Sequence, residues 1–307
     1  MKFSLKFLVL LIASFIFFAT TTLSLIKLRI PEQIQVIIAP KKVDLANLPR
    51  LPVLTNNGNF PEFSAEGVLA VDLRSGVTLY AKNPDDILLP ASTTKIVSAL
   101  VSLDFYPLDQ IVEVGDLKVD GQKMQLKPGE KITVESLLYG LLVYSANDAA
   151  EVLAANYPGG RDAFISAMNA KAKELQLEKS TFSNPTGLDA SDHVTTARDL
   201  VKVSMFAMKN PIFSQIVKTK EIEVSSIDAK IKHKLININE LLGGVEGVLG
   251  IKTGWTENAK ENLVTYIERN GHDVMIVLLG SDDRFGETKK LIDWIFTNYR
   301  WQNIPNP

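Results

Sequence analysis

Segments that read as β-strand stand near both ends of this chain, with a long helical stretch between them. That order forces one sheet to be assembled from distant parts of the polypeptide. Val68–Asp72 and Thr78–Lys82 are apolar, β-favouring runs separated by Leu73-Arg74-Ser75-Gly76-Val77, the pattern of a hairpin. A helix is indicated from about Ser92 to Leu103. From Thr133 to about Met208 the pattern is mostly helical. Thr133 can cap a helix through Glu135-Ser136-Leu137-Leu138-Tyr139, and Thr196 with Asp199 resembles a capping box before Leu200–Met208. After residue 215 strands return at Glu221–Val224, Val248–Thr253, Leu263–Ile267 and Val274–Leu279, with Asn270-Gly271 as the turn between the last two. Arg284–Tyr299 reads as an amphipathic helix with Leu291, Ile292, Ile295 and Phe296 on one stripe. The expectation is a sheet plus a helical lobe.

Composition narrows the chemistry. A net charge of −2 over 307 residues supplies no basic field for nucleic acid. The absence of cysteine removes disulfides, thiolate catalysis, cysteine zinc sites and cysteine lipidation, and leaves the compartment open. His193, His233 and His272 are scattered, with no metal-binding spacing on one helix, so no metal or cofactor is implied.

The N-terminus speaks to the compartment instead. Lys2 and Lys6 precede Phe7–Ile26, an uncharged run of 20 residues rich in Leu, Ile and Phe. About 20 apolar residues in a helix suffice to cross a bilayer. The competing reading is a cleaved signal peptide with Ala19–Thr22 as the cleavage region. No clean Ala-x-Ala stands there and apolar character resumes at Leu23–Ile26, which favours an uncleaved anchor in residues 1–26. Lys27 and Arg29 balance Lys2 and Lys6, so charge does not set orientation. Residues 27–59, with Pro31, Pro40, Pro49 and Pro52, read as an extended linker spanning on the order of 100 Å when stretched. The remaining residues, 60–307, form the expected catalytic domain.

Three short motifs carry the chemistry. Pro90-Ala91-Ser92-Thr93-Thr94-Lys95 sets a hydroxyl and an amine three residues apart, on one face of a helix. Pro90 suits a helix start, which places Ser92 where free N–H groups and the positive dipole end favour developing negative charge. Lys95 takes the Ser92 proton only when neutral, which desolvation or a second cation would promote. Ser145-Ala146-Asn147 falls between two helices. Its bland reading is an N-cap. Its functional reading makes Ser145 a proton relay beside Ser92 and Lys95, with the Asn147 amide bonding the substrate backbone. Lys252-Thr253-Gly254 ends the strand that begins near Val248. There Lys252 offers an ammonium to a substrate carboxylate, Thr253 adds a hydroxyl, and Gly254 clears the strand edge for an extended peptide. Each motif alone is weak, with a plain alternative as a cap or a solvated lysine. Their order on a helix start, an interhelical loop and a strand is specific, and is the set shared by class A β-lactamases and penicillin-binding proteins.

On these residues the chain resembles the serine D-Ala-D-Ala carboxypeptidases of peptidase family S11, low-molecular-mass penicillin-binding proteins. The resemblance runs from about Phe60 to Asn298. It includes Met168-Asn169, Phe182-Ser183-Asn184-Pro185-Thr186-Gly187-Leu188, Thr195-Thr196-Ala197-Arg198-Asp199, Asn237-Ile238-Asn239-Glu240-Leu241-Leu242 and Gly250-Ile251-Lys252-Thr253-Gly254-Trp255-Thr256. It implies an α/β fold of the α+β type, β-lactamase/transpeptidase-like, with an antiparallel sheet flanked by helices and an all-helical lobe carrying Ser145. It also implies attack by Ser92 on the penultimate D-alanine of peptidoglycan stem peptides ending in D-Ala-D-Ala, and β-lactams as covalent inhibitors. Lys95 would be the proton acceptor, Ser145 the relay, Lys252 the carboxylate site, and the N–H groups of Ser92 and Trp255 the oxyanion hole. Two like charges in one cleft lead us to expect joint titration of Lys95 and Lys252, with Lys95 the more readily neutral.

The chain departs from the family pattern after Thr256, where Ala-Gly is usual and Ala259 is instead followed by Lys260. Many relatives also carry a β-rich second domain and a C-terminal amphipathic anchor, for which the N-terminal segment would substitute here. Two rival readings remain at this level. A class A β-lactamase places a Glu on the loop after the helical lobe, and Thr181–Val194 has only Asp189 and Asp192. A non-catalytic penicillin- or peptidoglycan-binding sensor would not need all three motifs intact, and only six residues precede Phe7.

Overall fold

In a computed structural model of the chain, residues 50–55 and 60–303 are described. The segment expected to enter the membrane, residues 7–26, lies outside them. Strand β1 (Leu51–Leu54) is followed by β2 (Gly67–Asp72) and β3 (Thr78–Lys82). A 3-10 turn at Ala91–Thr94 leads into helix α1 (Lys95–Phe105), then short strands β4 (Ile111–Glu113) and β5 (Lys131–Thr133). The lobe continues with α2 (Val134–Leu142), α3 (Asn147–Ala155), α4 (Gly160–Glu174), α5 (Ala197–Ala207) and α6 (Pro211–Val217). Strands β6 (Glu221–Ser225), β7 (Lys232–Ile236), β8 (Val248–Thr256), β9 (Lys260–Arg269) and β10 (His272–Ser281) follow. Helix α7 (Arg284–Asn298) and strand β11 (Tyr299–Gln302) complete the described chain.

The expected sheet is present as five antiparallel strands in the order β3-β2-β10-β9-β8, joining the two ends of the sequence at the β2–β10 ladder. Strand β10 sits centrally and is buried on both faces, which explains its near-continuous apolar run. Met275, Val277 and Leu279 pack with the helical lobe, while Val274, Ile276 and Leu278 pack on the opposite side with Leu291, Ile292 and Ile295 of α7. The sheet is thus a wall between two cores. The lobe and β8, its edge strand, frame the site.

Local signals were mostly honoured. Thr133 accepts the Ser136 N–H and caps α2. Asn270 and Gly271 both take positive φ (56° and 74°) in the β9–β10 turn. Thr196 accepts the Asp199 N–H, but the reciprocal half of the box is not made. The Asp199 carboxylate instead accepts from the Lys179 N–H and the Ser180 hydroxyl. At the departure from the family pattern Lys260 adopts φ 54°, the left-handed position glycine favours, and the ladder with β8 holds through Thr256–Lys260. Strands β1, β4, β5, β7 and β11 were not anticipated. In β7 the polar run Lys232-His233-Lys234 conceals an alternation in which His233 and Leu235 point inward. Strand β1 occupies the end of the expected linker and pairs with β11.

Ile276→Ala should remove packing from a fully buried central position. The expected loss is about 2–5 kcal/mol of unfolding free energy, read from urea denaturation.

Candidate active site

The Ser92 hydroxyl sits on a turn that the main chain of two other segments closely approaches. Thr93 returns both its N–H (3.2 Å) and its hydroxyl (2.7 Å) to the Pro90 carbonyl, closing the 3-10 turn ahead of α1. A Cβ on Gly187 would lie 1.9 Å from the Ala91 carbonyl oxygen, and Gly187 also requires φ 88°. A Cβ on Gly254 would lie 3.1 Å from the Pro90 oxygen, the Ala91 side chain and the Ser92 nitrogen. The missing side chain of Gly254 therefore makes room for the Ser92 turn, and the residue also lines the cleft. Asn184 fixes the facing loop by accepting N–H bonds from Thr186, Gly187 and Leu188.

Lys95 is fully buried at 0% exposure. Its Nζ donates to Ser92 Oγ (2.8 Å), Asn147 Oδ1 (2.6 Å) and the Thr186 carbonyl (2.6 Å). The helical spacing therefore delivers the predicted hydroxyl–amine contact. Asn147 is committed differently from expectation: its Nδ2 donates to the Asp120 carbonyl at 2.7 Å, so both ends of the amide are held by the protein. Ser145, at φ 61°, sits in a left-handed conformation that a side chain resists. It accepts a hydrogen bond from Lys252 Nζ at 2.8 Å, pairing with the second lysine rather than with Ser92 or Lys95.

Burial decides the electrostatics. It lowers the Lys95 proton affinity to about 7, against the opposing pull of Asp148 and Glu151. Lys252, 1% exposed, is pushed well below the ordinary lysine range by burial, then by the neighbouring charges of Lys95 and Arg284. Both amines are thus biased to neutrality, but Lys252 feels only cations while Lys95 is partly compensated by acids. The two amines are linked by shared burial and by the charge of Lys95 acting on Lys252.

His193 is structural. The Ser183 N–H donates to its Nδ1 (2.9 Å), which leaves Nε2–H to donate to Thr94 Oγ1 (2.7 Å). Burial pushes its pKa down to about 4, so the ring stays neutral beside the nucleophile turn.

Above Ser92 opens a cleft of about 870 Å³, lined by Ser145, Asn147, Thr186–Asp189, Thr253–Glu257 and Arg284, among others. Trp255 projects into it at 62% exposure. Asp189 bridges the two walls, accepting from Thr256 Oγ1 (2.7 Å) and Asn258 Nδ2 (3.0 Å). The cation that lines the cleft is Arg284, which sequence reading passed over. Its Nη1 donates to the Gly254 carbonyl at 3.0 Å, while its Nε has no partner among the described residues. The hydroxyl of Thr253 is likewise buried and unpaired. A cation in the first turn of α7 runs against the helix dipole, and that was the available signal.

Residues 55–283 match the peptidase S11 family of D-alanyl-D-alanine carboxypeptidases. The chain belongs to this family. As an S11 peptidase it is a serine-type hydrolase of peptidoglycan metabolism. It is 34% identical over 246 residues to a D-alanyl-D-alanine carboxypeptidase of Mycobacterium tuberculosis, covering 77% of this chain and 84% of that protein. It is 32% identical to a D-alanyl-D-alanine endopeptidase of Escherichia coli, covering 77% and 79% respectively. The crystal structure of the Streptomyces K15 DD-transpeptidase superposes with a TM-score of 0.74 at 32% identity, covering 78% of this peptidase and 99% of that chain.

Because neutral Lys95 is the form able to accept a proton, acylation by a penicillin should be slow at low pH. It should rise through about pH 7 and level off above. Stopped-flow acylation rates between pH 5 and 9 test this; a flat profile would exclude Lys95 as the base.

Proposed function

We infer that Ser92 attacks the carbonyl of the penultimate D-alanine of a stem peptide, with Lys95 as general base. The observation that carries this reading is a lysine amine buried at 0% exposure, 2.8 Å from the Ser92 hydroxyl, with a proton affinity lowered to about 7. In its neutral form that amine accepts the Ser92 proton as the Oγ–C bond forms. The N–H groups of Ser92 and Trp255 receive the oxyanion; the packing of Gly254 against Ser92 nitrogen supports their being neighbours. The C–N bond then breaks, and the proton passes to the departing D-alanine amine. Lys252 donates into Ser145 Oγ, which leaves the Ser145 hydroxyl hydrogen free to be given to that amine. Ser145 takes up in its place the proton held by Lys95, which returns to neutral. Water hydrolyses the resulting ester and regenerates Ser92.

The substrate's terminal carboxylate belongs beside Thr253 and Arg284, whose unpaired donors it would satisfy. Lys252 lies beneath them, and an arriving anion raises its proton affinity again. Asn147 acts in this scheme by orienting Lys95. β-Lactams enter the same cleft and acylate Ser92. Slow deacylation is favoured over β-lactamase turnover because Asp189 is tied to Thr256 and Asn258, and Asp192 is exposed. A cell-wall substrate places the catalytic domain outside the cytoplasm. Residues 7–26 serve as its membrane anchor, with the proline-rich linker as a spacer.

Fluorescent penicillin should label the wild type and leave Ser92→Ala unlabelled; equal labelling would end the assignment. With a peptide ending in D-Ala-D-Ala, Arg284→Ala should lower kcat/KM about 10–100-fold for D-alanine release, the loss of a hydrogen bond to a charged group.

A further inference from the structure

Between β4 and β5 the segment from Val114 to Glu130 forms neither helix nor strand, yet it touches the catalytic centre. Its Asp120 carbonyl accepts from Asn147 Nδ2 and its Gln122 carbonyl from the Asn147 N–H, both at 2.7 Å. It presses so closely that a Cβ on Gly121 would lie 2.7 Å from that Nδ2. Asn147 Oδ1 in turn accepts from Lys95. The aim of the base thus depends on a loop with no ladder of its own, joined at its root by backbone bonds between Val114 and residues 129 and 130.

What holds the rest of that loop is a set of buried titratable groups that touch no reacting atom. The Asp148 carboxylate accepts the N–H groups of Met124 (3.0 Å) and Leu126 (3.1 Å). From the separate β6–β7 hairpin, His233 reaches across. Its Nδ1 lies 2.8 Å from the Met124 carbonyl, which only a protonated nitrogen can satisfy, and its Nε2 lies 2.7 Å from Glu130 Oε1. Glu130 Oε2 receives the Lys127 N–H at 3.0 Å. The side chains of His233 and Glu130 are 3% and 0% exposed. Burying such a pair is costly unless its geometry is retained.

We propose that His233 and Glu130 are positioning residues for the acylation reaction: they clamp the Val114–Glu130 loop so that its carbonyls orient Asn147 and, through it, Lys95. The inference rests on the reading of Lys95 as the base. It extends the functional unit to a hairpin that supplies nothing to the cleft chemistry directly.

The test is a double-mutant cycle on the acylation rate by fluorescent penicillin, counted per labelled molecule so that unfolded protein does not enter. Asn147→Ala and His233→Ala should each slow acylation about ten-fold or more, the effect of misplacing a reacting group. The double variant should be no slower than Asn147→Ala alone, because His233 acts through Asn147. Glu130→Gln, which keeps shape and hydrogen-bonding capacity, should retain most of the rate that Glu130→Ala loses. Multiplying losses in the double variant, or an unaltered rate in His233→Ala, would overturn the proposal. If His233→Ala does not fold, Glu130→Ala paired with Asn147→Ala carries the same cycle with the same outcomes. Absence of labelling in the wild type would instead sink the reading of the site itself.

Discussion

The burial of one amine organises this molecule. Lys95 has three hydrogen-bond donors as an ammonium and finds three acceptors, one on its own turn, one on α3 and one on the Asn184–Gly187 loop. Three separate parts of the chain must therefore meet at one nitrogen. A buried cation without full compensation is expensive, and the compensation here is deliberately incomplete: Asp148 and Glu151 pull the proton on while dehydration drives it off. That balance leaves the amine beside the Ser92 hydroxyl with a proton affinity far below that of an ordinary lysine.

Close backbone approach supplies the positional accuracy. Gly187 and Gly254, from different elements, both press on the Ser92 turn, so Ser92 is located by main chain rather than by flexible side chains. The first belongs to a loop whose shape is set by Asn184; the second belongs to the edge of a sheet whose central strand is buried on both faces. That wall packs against α7 behind and the lobe in front, and β8 is the strand of it that lines the cleft.

Legibility followed the range of the interaction. The β2–β3 and β9–β10 hairpins, the Thr133 cap and the α7 stripe are set by neighbours in sequence, and their signals were plain. The Ser92–Lys95 contact was legible for the same reason, since three residues on a helix share a face. The packing of Gly254 on the Ser92 turn was not legible because that turn lies more than 150 residues away in the sequence. Arg284 was overlooked because it looked like the start of a surface helix, and β7 because lysines flanked a histidine whose partners lie across the fold. The charges that surround the two lysines, Asp148, Glu151 and Arg284, were not legible because they come from other elements.

The β1–β11 ladder has a mechanical consequence. Leu51 pairs with Gln302 and Leu54 with Tyr299, so the outermost pair of the ladder is the one where both strands leave the body. These four pairs form a two-stranded ladder separate from the five-stranded sheet. Fraying them would leave the ladders of the sheet behind Ser92 with all of their own strand pairings.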